Sequence, residues 1–138
     1  MPRAMSEFAS LLAQRPELAD RYAAFLASVQ GHAAVPERLH ALCRARIQQI
    51  HGVPPSGLDD ATLSQLAVTD YSSFSRAETT ALRVAEKMSL QYHGITDEEV
   101  EQVRREVGND GCVALLTALS FYDVECRLQL TAEALDVD

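Results

Sequence analysis

The 138-residue chain has no tryptophan, only three cysteines, and 12 lysine and arginine residues against 20 aspartates and glutamates. Each shortage excludes something. A net charge of −8 repels phosphate backbones and anionic lipid, so neither nucleic acid nor a membrane surface is an expected partner. The cysteines, at positions 43, 112 and 126, are odd in number and show no metal-ligand spacing. Neither a metal nor a cofactor is expected. Cys112 and Cys126 fall on one expected helix, about 21 Å apart at 1.5 Å per residue, whereas a disulfide needs Cα atoms within ~7 Å. No stretch approaches the ~18 uninterrupted apolar residues of a membrane span. The most apolar run, Cys112 to Tyr122, is broken by Thr117 and Ser120. The opening MPRAMSEFAS lacks the apolar centre of a signal peptide, so a cytoplasmic location is the expectation.

Apolar residues make up 47% of the chain, enough for a core without disulfides or metals. No window alternates as a strand does, whereas helical spacing and helix punctuation recur throughout. A short helix is expected around Glu7 to Leu12. Pro16 suits the first turn of a longer one, with Leu18, Tyr22, Phe25, Leu26 and Val29 on one face and Gly31 at its end. The next begins at Pro36, carries Leu39, Leu42, Cys43, Ile47 and Ile50, and stops at Gly52 and Pro54-Pro55. A shorter helix with Leu63 and Leu66 starts near Asp59, and Thr69 to Ser73 reads as a loop. Ser75 with Glu78, and Thr96 with Glu99, form capping boxes for two more helices, the second ending at Gly108. The last runs from Asn109 or Asp110 to about Leu135, with Cys112, Leu115, Leu116, Leu119, Tyr122 and Cys126 inward and Asp123–Arg127 as an i,i+4 pair. The spacing therefore predicts an all-α, single-domain helical bundle of about six or seven helices over residues 1–138.

With the helices placed, their order and wording resemble a known family. Val35-Pro36-Glu37-Arg38-Leu39, then Leu42 through His51-Gly52, then Phe74-Ser75-Arg76-Ala77-Glu78, Ile95 to Val100, and the last helix through Arg127 resemble successive segments of the alkylhydroperoxidase D and carboxymuconolactone decarboxylase family. The resemblance implies that family's helical fold, homo-oligomeric assembly and, in the peroxidase branch, thiol-dependent hydroperoxide reduction in antioxidant defence. There a thiolate attacks the peroxide and a second cysteine resolves the sulfenic acid. Here Val53 and Ser56 fall on the two cysteine positions, Ala41 on the glutamate and Asp60 on the histidine. The stretch from Gly52 to Phe74 is also short by roughly three helical turns, which suggests that the redox helix is deleted. Peroxidase chemistry in the family's manner is therefore not expected. Two alternatives stay open: an acid–base enzyme of the decarboxylase kind acting on a small carboxylated molecule, or a non-catalytic oligomeric binding protein.

The candidate site residues lie on the third expected helix. His40, Arg44, Gln48 and His51 share one arc at 100° per residue. That arc reads as a solvated polar face or subunit contact, or else as a pocket for a small anionic molecule. In the second case Arg44, Arg46 and His40 bind the substrate, Arg44 holding a carboxylate, and His51 serves as acid or base. His40 and His51 lie about 16 Å apart along the axis and cannot share a metal ion. The three cysteines read as buried core residues.

Overall fold

A computed structural model describes residues 7–134; the expected end of the last helix at Leu135 lies outside them. Six α-helices follow one another in the order α1 (Glu7–Ala13), α2 (Pro16–Gln30), α3 (Glu37–His51), α4 (Asp60–Ala67), α5 (Arg76–Leu90) and α6 (Asp97–Ala134). A 3-10 turn at Tyr92–Gly94 joins the last two. The expected all-helical bundle is what the chain forms, and the local signals explain why. The Asp59 side chain accepts from the Thr62 amide to start α4. Both capping boxes are complete: Ser75 with Glu78, and Thr96 with Glu99. Gly52, at φ 76°, closes α3 in the left-handed region that a side chain resists. Gly108 interrupts α6 with φ 78° and ψ 174°, a conformation almost confined to glycine, so the element is two helices meeting at a bend.

Helices α3, α5 and α6 pack most extensively on one another and enclose the core. Leu42, Cys43 and Ile47 of α3 meet Leu82 and Val84 of α5 and Leu115, Leu119 and Tyr122 of α6. Ion pairs Arg38–Glu78 and Arg46–Glu86 advance eight residues on each helix, which sets α3 and α5 side by side and parallel. The relation of α3 to α6 differs. His40, Arg44 and His51 of α3 all reach the short stretch Tyr122–Glu125 of α6. About 16 Å of one axis thus meets about 5 Å of the other at 1.5 Å per residue, so these helices cross steeply.

Helix α2 departs from the apolar-face expectation. It contributes no fully buried residue, and Leu18 and Phe25 remain 51% and 38% exposed. It lies on the outside, chiefly against α1 and α6, so its wide apolar stripe is half covered. Tyr22 and Phe25 contact Phe121 of α6 at ring-centroid separations of 6.1 and 4.8 Å. Leu26 and Val29 add partly buried apolar contact with the core, and the polar contacts of α2 lead to the site.

Candidate functional site

The polar arc of α3 is not a solvated face. His40 is only 4% exposed, and every member of the arc has a partner within the fold. His40 Nδ1 lies 2.9 Å from the Tyr122 hydroxyl. Arg44 Nη2 donates to Glu125 Oε1 at 2.6 Å. Gln48 accepts the Ser56 amide at 3.2 Å. His51 Nε2 lies 2.6 Å from Asp123 Oδ1. The reason is the position of α3 in the fold: α5 covers one side, and α6 crosses over the other. A helix enclosed in this way must bury its polar stripe as well, and a buried polar group survives only when paired.

Around His40 and Arg44 the pairing becomes a network across three helices. The Gln30 amide of α2 donates to the Tyr122 hydroxyl at 2.8 Å. The arrangement that uses every proton then has Tyr122 donating to His40 Nδ1, which places the imidazole hydrogen on Nε2. Arg44 also lies over the Tyr122 ring, its Cζ 5.1 Å from the centroid. The Tyr22 hydroxyl of α2 donates to Glu125 Oε2 at 2.6 Å. Burial first, and the adjacent carboxylate second, push the Tyr22 phenol far up, so it stays protonated. Burial lowers the His40 pKa below its ordinary value, which keeps the ring neutral at neutral pH.

Two polar atoms in this network have no partner: His40 Nε2 and Arg44 Nε, both buried. Both residues line a cavity of about 550 Å³ between α2, α3 and α6, together with Gln30, Tyr122, Ser56 and Gly57. The size lies within the ~300–1,000 Å³ typical of small-molecule sites. The two residues that carry these N–H donors are thus four positions apart on α3 and line the same space. The charge around the space is slightly negative, because Glu125 already neutralises Arg44 and Glu37 stands at the wall.

Of the four site residues expected from sequence, the fold brings His40 and Arg44 together on the cavity and sends the other two elsewhere. Arg46 turns to α5, where Glu86 accepts from it at 2.9 Å, and Tyr71 donates to the same carboxylate. His51 sits at the end of α3, with its side chain 13% exposed, in a cluster centred on Asp123. Ser89 and Arg127 also donate to that aspartate. Burial alone would raise the Asp123 pKa, but the hydrogen bonds from Arg127, His51 and Ser89 bring it below the usual value. This cluster stands apart from the cavity lining and joins the ends of α3 and α5 to α6.

Sequence reasoning missed Tyr122 as a polar group, and missed Glu125 and Gln30 altogether. A signal was present. Glu125 falls three residues after Tyr122 and one before Cys126, within the inward stripe of α6, where a carboxylate needs a partner inside. Gln30 gave no such sign.

All three cysteines are buried and unbridged. Burial pushes the Cys43 thiol far up, raises that of Cys112, and takes Cys126 to about 11. A peroxide-reducing cysteine needs the opposite. Native protein is therefore expected to react with a thiol-specific disulfide reagent at neutral pH at least about 100-fold more slowly than a free thiol. All three groups should appear at once on unfolding; one fast-reacting thiol in the native state would contradict this. Among the described residues no group of three or more His, Cys, Asp or Glu side chains is placed to hold a metal ion. None of their helices is long and apolar enough to cross a membrane.

No family model, no curated protein and no solved structure matches the chain.

Proposed function

We propose that the cavity between α2, α3 and α6 binds a small organic molecule through a carbonyl-type oxygen, with His40 as the group that donates to it. The observation that carries this reading is the buried, unpartnered Nε2 of His40, a residue that lines the cavity. A buried N–H without an acceptor costs about 1–3 kcal/mol. A guest oxygen admitted to that nitrogen from the cavity recovers the cost, and Arg44 Nε is a second such donor one helical turn along α3. Gln30 and Tyr122 fix the tautomer from behind, so the donor is oriented before the guest arrives. The slightly negative charge supports a neutral acceptor over a full carboxylate.

The reading extends to chemistry. A neutral imidazole hydrogen-bonded to a phenol is suited to giving a proton to a carbonyl oxygen and taking it back. On the family resemblance, this chain is a divergent alkylhydroperoxidase D-like scaffold in which a histidine site stands in place of thiol chemistry. In support, Ser56, which falls on a cysteine position of that family, lines the same cavity.

The test is a heteronuclear NMR titration with cyclohexanone, γ-butyrolactone and benzoate as probes. Saturable shifts at Ala27, Ala41 and Gly57 are expected from the ketone or lactone. His40→Leu should weaken them roughly 10-fold, the equivalent of one lost hydrogen bond to a polar group. Binding that survives in His40→Leu, or that only benzoate produces, would refute the reading.

A further inference from the structure

A second site emerges from the cations. Among the described residues, every lysine and arginine is ion-paired with a carboxylate except Arg15, Arg76 and Arg83. In a chain with 20 acidic residues against 12 basic ones, an unpaired arginine is the exception. Two of the three exceptions line one cavity. Arg76, Thr80 and Arg83 of α5 face Gln102, Arg105 and Glu106 of α6 across a volume of about 270 Å³. It shares no residue with the cavity at His40.

The spacing explains the convergence. Positions 76, 80 and 83 are four and three residues apart and so lie on one face of α5. Arg105 stands opposite, held only loosely: its contacts to Glu98 and Glu101 are 3.5 and 3.9 Å, and its side chain is 61% exposed. Against three guanidiniums the wall sets one carboxylate, Glu106. The surplus is positive on a protein that is otherwise strongly negative. A threonine hydroxyl and a glutamine amide add neutral donors between the arginines.

We infer that this cavity between α5 and the first half of α6 binds a phosphoryl group or a similar tetrahedral oxyanion. Arginine forks on two facing helices, with a hydroxyl and an amide between them, surround an anion in three dimensions. A planar carboxylate uses one fork; a phosphate has acceptor oxygens for several. The same group can arrive as free phosphate or as the monoester of a larger molecule, and the cavity is open to both.

The experiment is an NMR titration of the full chain at low ionic strength with inorganic phosphate, O-phosphoserine and, as the planar control, acetate. Phosphate should give saturable shifts in amides of residues 76–83 and 102–106, weakening as salt is raised. Arg83→Gln and Arg76→Gln should each weaken binding at least about 5-fold, the loss of one charge-assisted hydrogen bond. Arg15→Gln, which removes the same charge from the unpaired arginine outside the cavity, should leave it unchanged. Tighter binding of O-phosphoserine identifies a monoester as the ligand; equal binding identifies the free anion. An equal response to acetate, an equal loss in Arg15→Gln, or linear shifts without saturation would each overturn the assignment.

Discussion

Replacing Glu125 with alanine is expected to destabilise the protein by about 2–3 kcal/mol and to release α2 before the rest of the bundle yields. Glu125 is buried, and its two oxygens take Arg44 on one side and Tyr22 on the other. Removing one partner of a fully buried ion pair costs about 3–5 kcal/mol. Here the Arg44 side chain is 37% exposed, so water recovers part of that cost and the lower figure follows. The selectivity for α2 comes from how that helix is attached. It buries no residue fully, and two of its anchors, Tyr22–Glu125 and Gln30–Tyr122, are hydrogen bonds. Chemical denaturation gives the magnitude. Hydrogen exchange should show the amides of residues 16–30 losing protection at denaturant concentrations where α3 and α5 keep theirs. Glu125→Gln, which can still accept, should cost about half as much. Uniform loss of protection across all helices would show that α2 is not separately attached.

Leu42→Ala is expected to be costlier still, at about 3 kcal/mol within the ~2–5 kcal/mol range for a fully buried leucine. Leu42 has no exposed surface and belongs to the core cluster on α3. With α5 alongside and α6 crossing over α3, its neighbours are fixed from two directions and cannot collapse into the space left behind. For a chain of this length that corresponds to a fall in melting temperature of roughly 10 °C. Unlike Glu125→Ala, the change should lower protection in α3, α5 and α6 together, because it removes contact at their common centre. A loss below about 1 kcal/mol, read by denaturant titration, would mean that the core repacks freely.

Much of the fold was legible in the residues themselves, because its helix boundaries are written in local chemistry. Ser75–Glu78 and Thr96–Glu99 close their capping boxes, Asp59 starts α4, and Gly52 and Gly108 stop helices where they stand. The inward stripe of the last helix falls where its spacing puts it. The site was half legible. The arc of α3 announced that His40, Arg44, Gln48 and His51 share a direction. It did not say what lies in that direction, since the crossing of α6 is decided by packing far away in the chain. The residue pattern alone therefore left both a solvated face and a pocket open, and treated His51 and Arg46 as pocket residues. The partners that send those two elsewhere, Asp123 and Glu86, are 72 and 40 positions distant.

The connection after α3 also bears on how tightly the cavity at His40 can hold a guest. Its floor at Ser56 and Gly57 follows two consecutive prolines, whose φ angles are fixed by their rings. The Val53 amide bonds back to the Gln48 carbonyl at 2.9 Å, and the Ser56 amide to the Gln48 side chain. A wall held this way has little conformational freedom left to lose. A guest therefore finds that part of its surroundings already ordered, and more of its contact energy appears as affinity.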